Sequence, residues 1–235
     1  MSNLALIPAR GKSKRIPRKN IKEFMGKPII AYSIEIALKS DLFDEVMVST
    51  DDMEIAEIAM KYGAKVPFMR SAERADDYAK TIDVIKEVIN DYNCKLGRKF
   101  DLICCIYPAA PLIKVSHIKA GLEILRKNNF DSVFPVKSFS YPIWRGLKID
   151  TSGKINMIWP EYVNSRSQDL DKVYHDAGQW YWLRTSKINY GIFNKNSGAI
   201  VLSELEVQDI DTPYDWEMAV MKYKLMYGIR DSYTD

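Results

Sequence analysis

With 235 residues and 47% hydrophobic content, the chain can bury a full core as one domain, with room for a substantial insertion. A net charge of +3 argues against a chain-wide nucleic-acid binder, and three cysteines with two histidines leave little material for a zinc centre or a serine-type triad. The apolar N-terminal run is too short for a signal-peptide core or a membrane span, so a cytoplasmic protein without membrane contact is expected.

The first predicted strand, Leu4–Ala9, opens directly into a basic loop in which Arg10, Lys12, Lys14, Arg15, Arg18 and Lys19 fall within ten residues. A lysine-rich stretch is usually a solvated face or a nucleic-acid patch. Here Pro8 and Pro17 stiffen it, a strand anchors it, and no second basic block follows, which favours a cradle for phosphate. The Gly11-Lys12-Ser13 tripeptide is not a P-loop, because the glycine required five positions earlier is Leu6. No GxGxxG dinucleotide fingerprint is present either.

Beyond the loop, helical patterns near Ile29–Lys39, Met53–Tyr62, Thr81–Tyr92 and Ser116–Lys127 alternate with strand-like runs at Glu45–Thr50, Lys65–Arg70, Leu102–Tyr107 and Ser132–Val136. That order predicts an α/β fold with a mainly parallel, Rossmann-like sheet flanked by helices. Ligands then bind at the C-terminal ends of the strands, where Arg10, Asp51, Arg70 and Pro108 sit. Cys94, Cys104 and Cys105 have no metal-ligand spacing and read as reduced core thiols, the adjacent pair pointing to opposite faces of one strand.

From about 139 to 182 the composition changes: four of the five tryptophans gather here with Phe139, Tyr141, Tyr162, Tyr174 and Tyr181. A β-rich excursion is expected, either a second small core or an arm that pairs with a partner subunit and walls a substrate pocket. The last constellation is Gln208-Asp209-Ile210-Asp211-Thr212-Pro213. Helix capping explains Thr212, Pro213 and Asp215. It does not explain Asp209 and Asp211, which share one face of an extended segment while Ile210 turns inward. Two such carboxylates suit magnesium, and a basic loop with an acidic pair implies a magnesium-bound nucleoside triphosphate.

At this point a family resemblance becomes specific. The segments ALIPARGKSKRIPRKNI, VSTDD, FMRSAERADDYAKT, YPAAPL and DIDTPYDW together resemble the acylneuraminate cytidylyltransferases, or CMP-sialic acid synthetases, over essentially the whole chain. Within that family, RSQDLDKVYHDAGQWYW is most similar to the branch that charges pseudaminic acid. The resemblance implies a nucleotide-diphospho-sugar transferase type of fold in one domain over 1–235, and the aromatic density of the β-rich dimerisation arm at about 139–182 leads to the expectation of a homodimer. It implies that CTP and a nonulosonic acid are the substrates, that Mg²⁺ is the cofactor, and that a CMP-sugar and pyrophosphate are the products.

Carried over residue by residue, the resemblance puts Arg10, Lys14, Lys19 and Asn20 at the nucleotide, Arg70 at the cytosine, and Ala79 with Thr81 at the base edge. Asp209 and Asp211 would hold the metal, and Arg10 and Lys19 join them as catalytic residues. Tyr107, Arg166, His175, Gln179 and Tyr181 would meet the sugar acid. The departures fall on the sugar side. Tyr107-Pro108-Ala109-Ala110-Pro111 replaces a Gln-Pro-Thr-Ser-Pro run, and His175-Asp176-Ala177-Gly178 replaces Arg-Pro-Asn-Gly. N-acetylneuraminate and legionaminate remain alternatives to pseudaminate. His175 is the one histidine to weigh as a general base, and no residue is assigned that role. Two rivals of other classes are a nucleotide-sugar glycosyltransferase, whose acidic motif would be expected at mid-chain, and a non-catalytic nucleotide- or nucleic-acid-binding module, which would not need the acidic pair.

Overall fold

The computed structural model describes residues 1–71 and 80–229. Buried at nearly every position, β1 (Asn3–Pro8) is followed by the basic loop, a small ribbon of β2 (Glu23–Phe24) and β3 (Lys27–Pro28), and α1 (Ile29–Ser40). The chain continues through β4 (Glu45–Ser49), α2 (Met53–Lys61), α3 (Thr81–Leu96), β5 (Leu102–Ile106), α4 (Val115–Lys127) and β6 (Ser132–Ser138). After these come β7 (Leu147–Ile149), β8 (Ile155–Met157), β9 (Tyr174–Asp176), β10 (Trp180–Arg184), β11 (Ser197–Leu202) and α5 (Pro213–Tyr227).

The central sheet has the order β11-β6-β10-β5-β1-β4, with β9 added to β6. β1 runs parallel to both β4 and β5, and β6 parallel to β11, as the alternation of strands and helices predicts. β9 and β10 run antiparallel to their neighbours, so the sheet is mixed but mostly parallel. No α-helix intervenes between β6 and β10, and the constraint that makes βαβ units parallel is absent there.

Period-2 alternation splits the core into two faces. Ala5, Ile7, Val46, Val48, Cys104 and Ile106 face α1, α2 and α4, whereas Leu4, Leu6, Met47, Ile103 and Cys105 face α3. Cys104 and Cys105 therefore lie on opposite faces, as expected. Cys94 does not fit the expectation of a core thiol, because it is exposed on α3. A second correction concerns Lys65–Arg70, which runs beside β4 without forming a strand. Lys65 makes one bridge to Met47, and Pro67 has no N–H with which to extend a ladder.

The excursion after β6 is sparser in strand than its composition suggests: the β7–β8 hairpin and short 3₁₀ turns at Ile143–Arg145, Pro160–Tyr162 and Ser167–Asp169. Trp144, Trp159 and Tyr162 form a small ring cluster there. Trp180, Tyr181 and Trp182 belong instead to the main core, since β10 lies between β5 and β6. Trp180 packs so close to α4 that a Cβ at Gly121 would stand 2.4 Å from its ring.

A third apolar cluster joins the two ends of the chain. Trp216 and Ala219 of α5 pack with Ile210 against Ile16, Phe24, Ile29 and Tyr32. The start of α5 is fixed by a reciprocal Thr212–Asp215 capping box with Pro213 in the first turn. This packing brings the acidic segment before α5 against the basic loop after β1.

Candidate active site

A cleft of about 320 Å³ opens at the C-terminal ends of β1 and β5. Its basic wall is the loop after β1, and local bonding decides which cations face inward. Gly11 N donates to Asp51 Oδ1 at 2.9 Å, and a Cβ at Gly11 would stand 2.7 Å from Asp52 Oδ2, so only glycine fits. Arg18 bonds Asp52 and Glu54, each at 2.5 Å, and holds the Asp52 carboxyl below its usual range. The Asn20 amide donates to the Arg10 carbonyl at 2.9 Å, and Lys19 N donates to Ser13 Oγ at 3.0 Å. With Arg18 bracing the loop, Arg10, Ser13, Lys14, Arg15, Lys19 and Asn20 line the cleft.

Arg70, Thr81, Val84 and Tyr107 line another part of it. Arg70 is only 9% exposed, with Nε donating to Ser49 Oγ at 3.0 Å and Nη2 to Ser49 O at 2.5 Å. Burial pushes its pKa down while Asp51 pulls the other way, and a guanidinium remains charged in either case. Thr81 Oγ1 lies 2.9 Å from the Tyr107 hydroxyl. Ala79, expected beside Thr81, lies outside the described residues.

The acidic pair enters from the far end of the sequence. Asp209 and Asp211 both line the cleft, and Ile210 between them is 1% exposed, which is the alternation expected of an extended segment. Asp211 Oδ1 is 2.9 Å from Arg15 Nη2 and 3.7 Å from Lys19 Nζ. Burial, reinforced by the charge of Asp211, pushes the Asp209 carboxyl up. A carboxylate raised in this way favours a proton or a cation. Among the described residues, no group of three or more His, Cys, Asp or Glu side chains gathers as a metal cage. Asp209 and Asp211 alone supply two carboxylates at the cleft, the number with which Mg²⁺ is commonly held alongside substrate phosphates.

Of the residues expected at the sugar acid, Tyr107 lines the cleft. Gln179 is buried behind it, with Nε2 donating to Glu206 O at 2.6 Å. Tyr181 is 1% exposed and donates its hydroxyl to Asp176 Oδ2 at 2.5 Å. His175 meets Phe139 edge to face, and Arg166 pairs with Asp169 on the excursion; neither lines this cleft. Gly178 and Ala109 do line it without having been singled out. The signal for Gly178 was the Asp176-x-Gly178 spacing of an Asx turn: Gly178 N donates to Asp176 Oδ1 at 3.1 Å, and its φ is +63°.

Residues 4–226 match the family described as "Cytidylyltransferase". The chain is 45% identical over 228 residues to the pseudaminic acid cytidylyltransferase of Campylobacter jejuni, covering 96% of this chain and 97% of the relative. It is 34% identical to the CMP-N,N'-diacetyllegionaminic acid synthase of Legionella pneumophila, over 93% of this chain and 94% of that one. Among solved structures, CMP:2-keto-3-deoxy-manno-octonic acid synthetase complexed with CTP superposes with a TM-score of 0.70 at 19% identity, covering 97% and 99% of the two chains.

Proposed function

The chain belongs to the cytidylyltransferase family, and on that premise we propose that it activates a nonulosonic acid, pseudaminic acid, with CTP to give the CMP-sugar and pyrophosphate. The observation that carries the reading is one cleft lined by both the basic loop and the acidic pair. Four cations of that loop match the charge of a triphosphate, and the aspartates match its metal.

In the reaction, the anomeric hydroxyl of the sugar acid attacks the α-phosphorus of CTP. The new P–O bond forms as the bond from the α-phosphorus to the oxygen it shares with the β-phosphate breaks, the hydroxyl proton passes to solvent, and pyrophosphate departs. Arg10, Lys14 and Lys19 bind the phosphates, and Arg10 and Lys19 stabilise the charge that collects on the leaving group. Magnesium bound by Asp209 and Asp211 would neutralise phosphate oxygens and lower the pKa of the attacking hydroxyl. Arg70 and Thr81 read the base, and Tyr107 separates them from the buried Tyr181.

Leu147, Ile149 and Ile155 of the β7–β8 hairpin are 59%, 71% and 61% exposed, which supports a homodimer formed through this arm. Among the described residues no helix is long and apolar enough to cross a membrane. A CTP-dependent reaction belongs in the cytoplasm, where nucleoside triphosphates are held. Pyrophosphate release with CTP and a panel of pseudaminic, legionaminic and N-acetylneuraminic acids tests the reading. Pseudaminic acid should give the highest kcat/KM, and comparable turnover with UTP would overturn the cytidylyl assignment.

A further inference from the structure

β4 ends on a hydroxyl that its apolar run does not call for. Val46, Met47 and Val48 are buried, and Ser49 follows them at 2% exposure. By period 2 it shares the face of Met47, which packs toward α3. A hydroxyl sunk at such a place costs stability unless it is hydrogen-bonded. Its partner is Arg70, whose Nε donates to Ser49 Oγ at 3.0 Å and whose Nη2 donates to Ser49 O at 2.5 Å. Arg70 N also donates to Thr50 O at 2.8 Å, so the backbone and the side chain of the arginine are both fastened to the end of β4.

A guanidinium carries five N–H donors in a rigid plane. Ser49 takes one from Nε and one from Nη2, the two that lie along one edge. Among the described residues this leaves the end of the group, where Nη1 and the second hydrogen of Nη2 point the same way, and Arg70 lines the cleft. The Ser49 carbonyl is shared, since it also accepts from Ala9 N at 2.9 Å. The hydroxyl is therefore the acceptor given to Arg70 alone. We propose that Ser49 is a positioning residue that holds Arg70 by one edge and so presents its Nη1–Nη2 pair to the cleft as a fixed double donor for the base. Cytosine offers adjacent acceptors at O2 and N3, whereas uracil carries a hydrogen at N3 and would set donor against donor. A site built for one such pattern rejects the other strongly. The inference rests on the CTP reading and names the residue that sets its choice of base.

Calorimetric binding of CTP, UTP and inorganic pyrophosphate, each with Mg²⁺ and no sugar acid, tests it in the wild-type protein and in Ser49→Ala, with circular dichroism as the folding control. Pyrophosphate has no base, and the loop that faces it is braced through Asp51 and Asp52, so its dissociation constant should stay within about twofold. CTP should bind about tenfold more weakly and UTP should lose less, so the ratio of UTP to CTP dissociation constants falls. Should Ser49→Ala fail to fold, Ser49→Cys, which keeps a side chain of similar shape but offers only a weak acceptor, carries the test. A merely structural role would weaken CTP and pyrophosphate alike. That result, or an unchanged ratio of UTP to CTP in a folded variant, overturns the inference. A wild-type protein that binds UTP as tightly as CTP would instead overturn the cytidylyl reading itself.

Discussion

Lys19 Nζ donates to the Ile210 carbonyl at 2.6 Å, a hydrogen bond between residues 191 positions apart that fastens the basic loop to the acidic segment. The same ammonium lies 3.7 Å from Asp211 Oδ1. Lys19 therefore spaces the two charged walls as well as offering a charge to phosphate.

Removing a donor that acts in the transition state costs about 3 kcal/mol, so Lys19→Ala should lose about two orders of magnitude in kcat. Arg10→Ala should lose as much. Circular dichroism checks that each variant is folded, and steady-state pyrophosphate release reads the loss. Near-wild-type turnover in either variant would move the leaving-group site elsewhere.

Stability away from the cleft rests partly on Glu45 at the opposite end of β4, whose side chain is 2% exposed. Burial alone would push its carboxyl up, but hydrogen bonds from Tyr92, Arg98 and Lys65 outweigh it and hold the group below its ordinary value. A depressed carboxylate contributes stability above its unfolded pKa and loses it as pH falls through the folded one. Thermal stability should therefore drop on acidification below the ordinary glutamate range. Glu45→Gln should cost about 1.5–3 kcal/mol at neutral pH, with a shallower acid limb and an unchanged kcat. Equal melting temperatures for variant and wild type across the titration would refute this role.

The alternation of strands and helices revealed the sheet, and the two charged motifs revealed the cleft, because both are local patterns of one residue type at fixed spacing. The strand expected at Lys65–Arg70 was misjudged because its apolar pattern outweighed Pro67, which carries no donor for a ladder. Trp180 and Trp182 were grouped with the excursion because composition records where aromatics cluster along the chain. Their burial depends on β10 inserting between β5 and β6, a pairing set by distant residues. The bracing role of Arg18 is hidden for a similar reason: a cation that clamps Asp52 looks like one that faces phosphate until the loop's path is known. The order of the two carboxylates around Ile210 was legible, since period 2 is a property of any extended segment.

The hairpin offers a test of assembly. Leu147, Ile149 and Ile155 leave most of their surface in water in the single chain, an arrangement that a partner subunit would relieve. Light scattering should give a dimer at micromolar concentration, and Ile149→Asp should shift it toward monomer. A fully active wild-type monomer would exclude the arm as an obligatory interface.

The acidic pair separates function from stability most directly. Burial and the neighbouring charge of Asp211 raise the Asp209 carboxyl, so its ionised form is disfavoured in the fold. A raised carboxyl contributes less stability as pH climbs from its unfolded to its folded value, and at neutral pH the charge is a net burden unless a cation joins it. Asp209→Asn should therefore melt higher than wild type without ligands, by about 2–4 °C for each 1 kcal/mol relieved. Activity should move the opposite way: a neutral amide is a poor ligand for a hard cation, so pyrophosphate release by Asp209→Asn and Asp211→Asn should collapse, with added magnesium restoring at most part of it. If the pair served only to end a strand and lead into a helix, asparagine would serve as well as aspartate, because it caps helices about equally. Thermal unfolding of each variant with and without CTP and Mg²⁺, alongside a magnesium titration of turnover, distinguishes the two. Unchanged rates and unchanged magnesium dependence in both variants would remove Asp209 and Asp211 from the chemistry.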